Sequence, residues 1–295
     1  MTYIKYLVAI LILCVVSLSY ADEHVTLPWE KTFDSGYDWS GELKFTTDCG
    51  AGSGPSHTYR NTSEYCWSGG CADFKAPSAA CASGDGGVSA YGWIFFDPQT
   101  TLNVRWLMKV GNTYTEDAGG GHWQYENKLL DIHGSGHARH GLVCTWRTGN
   151  YTSVGIWDHT NNAWFNNGTG WPDPDITQEN AAVVIDDSGD NALTDVWLCF
   201  EFQVTVGGTQ YIRMTEQDGS YVEWHAPAIQ SSGTISDLYL GGYFNMHIPT
   251  ERQSNHLIFD ELRLVGGMAP NTFMGPPDGF LGDYPPPAPP NLRIE

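Results

Sequence analysis

Apolar and polar residues alternate with a period of two through most of this chain, and helical periodicity is nearly absent. Runs of β-branched and aromatic residues between Gly, Asn, Asp and Pro turns predict strands at Val88–Phe96, Leu102–Val110, Trp123–His133, Gly141–Arg147, Tyr151–Trp157, Val196–Val206, Gln210–Glu216, Leu238–His247 and Leu257–Val265. Alternation assigns their faces. In Val196–Val206, Val196, Leu198, Phe200, Phe202, Val204 and Val206 share one side, and Trp197, Cys199, Glu201, Gln203 and Thr205 the other. In Leu102–Val110, Leu102, Val104, Trp106, Met108 and Val110 oppose Asn103, Arg105, Leu107 and Lys109. Leu238–His247 sets Tyr239, Tyr243, Asn245 and His247 on one face. An oily side backed by a side of rings and hydrogen-bonding groups suits a curved sheet with a saccharide groove; it equally suits a face wetted by water. Many strands with short polar links predict an all-β sandwich or jelly roll. Two stretches break the pattern: the Gly- and Ser-rich segment 49–86, and residues 267–295, a tail or linker that is polyproline-like at PPPAPP.

The amino terminus changes the picture of where the chain resides. Lys5, the apolar run Tyr6–Val16 and the small-x-small site Ser19-Tyr20-Ala21 have the form of a secretory signal, so residues 1–21 are expected to be removed and 22–266 to form one β domain. The expected product is secreted or periplasmic, free of the membrane and monomeric. Beyond Cys14, cysteines stand at 49, 66, 71, 81, 144 and 199, an even set that suits disulfides in an oxidising compartment. Four lie in 49–81 and predict two bridges there, leaving Cys144 to pair with Cys199 across the core. The CxxC pairs of structural zinc are absent.

Charge adds contrast. Against 34 Asp and Glu stand 14 Lys and Arg, a formal net charge of -20, which argues against nucleic acid and against broad capture of polyanions. Yet residues 122–147 gather Lys128, His133, His137, Arg139, His140 and Arg147 on what reads as a strand, a Gly-rich turn and a second strand. His133, His137 and His140 lack the spacing of a zinc signature. The acidic loop 186–191 lacks EF-hand spacing and reads as solvated. The 12 Trp and 15 Tyr suit sugar stacking, and also suit sandwich cores. Asn61, Asn150 and Asn167 begin glycosylation sequons.

The phrases SNHLIFDELRL (Ser254–Leu264), TISDLYLGGYF (Thr234–Phe244) and WEKTFDSGY (Trp29–Tyr37) resemble the concanavalin A-like jelly roll. That superfamily includes laminarinase-type hydrolases, lectins, laminin G-like modules and several polysaccharide lyases, so the resemblance implies fold more than function. The hydrolase signature ExDxxE, laid on Asp131, puts Leu129 and Gly134 where both Glu belong. Asp131-Ile132-His133 is similar to the Gln-Ile-His of alginate-lyase-like jelly rolls, with Asp for Gln. Arg105 with Lys109 is similar to the family's Arg-bearing strand, and Gly242-Tyr243-Phe244-Asn245 to its Tyr-bearing strand, without the family's Lys.

That resemblance implies β-elimination on a uronate-containing polysaccharide. The proton α to a uronate carboxylate becomes acidic once the carboxylate charge is neutralised, a task for Arg105, Lys128 or Arg139. His133 would act as base or neutralising group, and Tyr243 as base and acid. Asp131, Tyr239, Asn245, His247 and Arg147 would bind substrate. No cofactor is required, but a structural calcium ion held by Glu30, Asp34 and Asp260 is expected by analogy. The alternative is a non-catalytic, lectin-like module; a glycoside hydrolase comes third.

Overall fold

A computed structural model describes residues 24–34, 44–47, 56–60, 66–75, 88–110, 127–134, 138–148, 151–158, 163–165, 183–186, 196–244 and 256–282. These form two sheets. One holds β1 (His24–Val25), β3 (Lys44–Thr47), β6 (Val88–Gln99), β8 (Asn127–Gly134), β9 (Arg139–Thr148), β10 (Tyr151–Asp158), β11 (Ala163–Phe165), β12 (Val183–Asp186) and β16 (Ile235–Phe244). The other holds β2 (Trp29–Lys31), β4 (Ser56–Arg60), β5 (Cys71–Lys75), β7 (Thr101–Val110), β13 (Trp197–Thr205), β14 (Gln210–Thr215), β15 (Tyr221–Ala226) and β17 (His256–Gly266). The first runs β1-β6-β16-β8-β9-β10-β11, with β3 on β6 and β12 on β10; the second runs β15-β14-β13-β7-β17-β5-β4, with β2 on β17. The chain changes sheets at Thr100, between β6 and β7, where Val206 N donates to Thr100 O at 2.9 Å.

The alternation that predicts the faces builds the core. Ile94, Phe96, Leu130, Ile132, Leu238 and Leu240 of the first sheet are buried with Leu102, Val104, Trp106, Met108, Leu198, Phe200, Phe202 and Val204 of the second. Trp106 and Phe200 stack at 5.4 Å between ring centroids. Each such large apolar side chain contributes about 1.5–3 kcal/mol when taken from water. In β17 the pairing with β7 shifts between Asp260 and Arg263, and Glu261 has φ 50°. That bulge keeps Asp260 outside and returns Leu262 and Leu264 to the core.

The polar face of β7 and β13 is no groove. Residues 267–282, read from sequence as part of a tail or linker, lie along it. Asn103 Nδ2 donates to Thr272 O at 2.7 Å, Asn271 N to Gln203 Oε1 at 2.6 Å, and Gly275 N to Glu201 Oε1 at 2.9 Å. Burial raises the Glu201 carboxyl above its ordinary value, while this N–H and nearby arginines pull the other way. Phe280 completes a second apolar cluster with Cys66, Cys71, Leu107, Trp197, Cys199 and Ile258.

The cysteine pairing needs correction. Cys66 and Cys71 are bridged, but Cys199 is a free, buried thiol, not the partner of Cys144. Cys199 faces the outer cluster of the second sheet, whereas Cys144 lies on β9 of the first. The Cys199 side chain points to the outer side of the second sheet, away from the first sheet, and so cannot bridge to it. Cys49 and Cys81 lie outside the described residues, as does the signal segment. Among the described residues no helix is long and apolar enough to cross a membrane.

Candidate active site

Pairing register across the outer face of the first sheet sets the site. Asp237 of β16 and Arg139 of β9 are both Cα partners of His133 on β8, and Tyr239 is the partner of Asp131. All these positions alternate with core residues Ile132, Leu238 and Leu240, so they share the face away from the core. One strand further, Trp93 and Phe95 of β6 oppose Tyr239 and Asp237.

Asp131 ties the cluster together. Arg139 grips it with both arms, Nε to Oδ1 at 2.9 Å and Nη2 to Oδ2 at 2.8 Å. His133 Nε2 lies 2.8 Å from Asp131 Oδ1. Burial alone would raise the Asp131 carboxyl, but the hydrogen bonds and charges of His133 and Arg139 outweigh it and hold the group below its ordinary value. It is therefore an ionised orienting group, and its charge is balanced by Arg139. The Arg139 side chain keeps 26% of its surface exposed.

His133 packs on Tyr239, ring centroids 4.6 Å apart, and its Nδ1 makes no hydrogen bond among the described residues. Behind them, the buried His140 ring is pushed below its ordinary value, first by burial and then by His133, against a backbone hydrogen bond at Thr234. The turn needs Gly134: a Cβ there would meet Thr234 O at 1.7 Å and His140 Nε2 at 2.6 Å. Asp237 is buried and accepts from Ser236 Oγ at 3.0 Å.

Three expected catalytic residues fall elsewhere. Arg105 lies on β7 of the opposite sheet, on its outer side, donating to Glu30 Oε1 at 3.1 Å and Gly275 O at 3.3 Å. Alternation explains this: Val104 and Trp106 face the core, so Arg105 must face away from it, with the whole sandwich between it and His133. Tyr243 is the Cα partner of Lys128. From Asp237, opposite His133, to residue 243 is about 20 Å of extended strand at about 3.3 Å per residue. Tyr243 and Lys128 thus mark the far end of the face, and Tyr239 is the tyrosine beside His133. Arg147 sits on β9 opposite Thr152 of β10; Asn245 and His247 lie outside the described residues. Trp93, Phe95 and Asp237 escaped the sequence reading, although the alternation of Trp93 with Phe95 and of Asp237 with Tyr239 carries them.

The carboxylates expected to hold calcium have other occupations. Asp260 Oδ2 accepts from Trp67 N at 3.1 Å and Ser68 N at 3.2 Å, and Oδ1 from Glu261 N at 2.8 Å. Asp34 Oδ1 accepts from Gly70 N at 3.1 Å and Ser68 Oγ at 3.3 Å, and Glu30 pairs with Arg105. Among the described residues no group of three or more His, Cys, Asp or Glu is placed to hold a metal ion. These carboxylates dock the Cys66–Cys71 loop onto β17.

Among solved structures the chain is similar to a cellulose-induced protein, Cip1, at 12% identity and TM-score 0.52, over 80% of this chain and 96% of that one. The chain is a β-jelly roll. It is similar also to the exolytic PL7 alginate lyase AlyA5 from Zobellia galactanivorans (12% identity, TM-score 0.49, 78% of this chain and 96% of that one). The alginate lyase from Klebsiella pneumoniae stands at 11% identity and TM-score 0.48, over 71% and 84%. No family model and no curated protein matches the sequence.

Proposed function

We propose that this jelly roll is an exported polysaccharide-active protein that cleaves a uronate-containing glycan by β-elimination at the outer face of its first sheet. The observation that carries the reading is the Asp131–His133–Arg139 cluster with Tyr239 stacked on the imidazole. Arg139 would pair with the uronate carboxylate and make the α-proton acidic. His133, oriented by Asp131, would take that proton, and the Tyr239 phenol would return one to the leaving oxygen. Asp131 itself, held by Arg139 and His133, is poorly placed to act as a nucleophile, which disfavours a hydrolase.

Incubation with alginate, glucuronan and ulvan, followed by the ultraviolet absorbance of unsaturated uronate, tests the reaction. An increase for the native chain that is lost in His133→Ala is the expected result. An undiminished increase in His133→Ala would reject the site. The rings beside the cluster favour a second reading, a sugar-binding module without catalysis. Retarded migration in polymer-containing gels with no absorbance change on any substrate would establish it.

A further inference from the structure

The rings beside the cluster form a continuous row. His24 of β1 stacks on Phe95 with centroids 6.4 Å apart and planes 16° from parallel. Phe95 lies 5.8 Å from Trp93, tilted 53°; Trp93 meets Tyr239 edge-on at 4.2 Å and 68°; and Tyr239 lies 4.6 Å from His133, tilted 52°. The row crosses four neighbouring strands, β1, β6, β16 and β8, a span of about 14 Å at about 4.8 Å between strands. His24 is exposed, and Phe95, Trp93, Tyr239 and His133 are partly so. Their alternation partners Ile94, Phe96 and Leu238 already supply the core. Such large rings on the outer side of a sheet are not needed to fill its interior, and they end directly on the Asp131–His133–Arg139 cluster.

We infer that His24, Phe95, Trp93 and Tyr239 form a saccharide-stacking platform that holds the sugar units of a polysaccharide adjoining the unit at His133, with the glycan running across the strands toward β1. Pyranose rings present flat C–H faces that match aromatic faces, and rigid rings give contact area at low entropic cost. Charge is mixed along the row. Asp97 Oδ1 lies 3.7 Å from His24 Nδ1, and Asp237 lies between Phe95 and His133 in register. Stacking therefore dominates at this end and Arg139 supplies the charge contact at the other. The inference rests on the proposed sugar-binding reading of the same face, but it does not need the elimination step.

Gel retardation by alginate, glucuronan and ulvan, compared with binding of a disaccharide from the same polymer, tests it. Phe95→Ala and Trp93→Ala are expected to weaken polymer binding about tenfold each, the effect of losing one well-packed aromatic contact. Disaccharide binding should weaken much less, and Trp93→Phe should restore most of the polymer affinity. Melting curves confirm that each variant is folded; should Trp93→Ala fail to fold, Phe95→Ala and Trp93→Phe carry the comparison. Polymer bound but uncleaved, with weaker binding in Phe95→Ala, would overturn elimination and leave the platform standing. Cleavage with KM for polymer unmoved by Phe95→Ala and Trp93→Ala would overturn the platform and leave elimination standing. Failure of the native chain to bind any polymer of the panel would overturn the platform as well.

Discussion

Arg105 and Arg139 hold carboxylates on opposite outer faces of the sandwich, in very different surroundings. Arg105 is almost fully buried, paired with Glu30, whose own side chain is 41% exposed. Arg139 is bidentate to a buried Asp131 and still partly exposed. Arg105→Ala is expected to lower stability by about 2 kcal/mol, a buried-pair loss softened by solvent at Glu30. Its turnover per folded molecule should hold within about twofold. Arg139→Ala is expected to cut turnover about a hundredfold, as removal of one charge-stabilising donor does. Denaturant titration and the absorbance assay on both variants check the pair, and an inactive, stable Arg105→Ala would refute the assignment. The i, i+2 spacing of Asp131 and His133 made their shared face legible in the sequence. Arg139 and Tyr239 were harder to assign because their proximity depends on hairpin register, which shifts at a bulge between Ile132 and His133.

At the scale of the element, β17 and the Cys66–Cys71 loop make a pH-sensitive join. Burial, with the neighbouring Glu261 and Asp34 carboxylates, pushes Asp260 up to about 8, against the pull of the Ser68 and Glu261 N–H groups. Its folded value is thus raised above that of the unfolded chain, about 3.9. Between those values the folded state holds a proton that the unfolded state releases, so stability is greatest near pH 4 and falls as pH rises toward 8. The raised Glu201, Glu216 and Glu261 act in the same direction. The lowered Asp131 acts oppositely, losing its stabilisation only as pH falls below about 4. The melting temperature should therefore drop from pH 5 to pH 8, and Asp260→Asn should shrink that drop. An equal drop in native and variant chains would show that Asp260 does not titrate in this window. The strand itself was legible from its alternation; the bulge at Glu261 was not, because it answers to the pairing with β7.

For the whole molecule, the outer face of the second sheet is closed by residues 267–282. Backbone groups of that segment meet Asn103, Gln203, Glu201 and Arg105, and Phe280 is fully buried over the disulfide. Phe280→Ala should lower unfolding stability by about 3 kcal/mol, read from the denaturation midpoint, and leave the opposite sheet's binding intact. A shift of only a few tenths would mean that the segment contributes little to the fold. Its Pro and Gly content forbids regular strands and so reads as a tail; what covers a polar sheet face depends on hydrogen-bond partners far away in sequence. The same division holds across the molecule. Period-two alternation by itself determined that the chain is all-β, which residues enter the core, and that Asp131 and His133 look outward together. Tertiary structure decided which sheet each strand joins and in which register. It thereby put Arg105 on the opposite sheet, set Tyr239 rather than Tyr243 beside His133, kept Cys199 apart from Cys144 and brought Arg139 to Asp131. Alternation is a local steric property of extended backbone, whereas strand partnership is a long-range choice that no spacing within a single strand records.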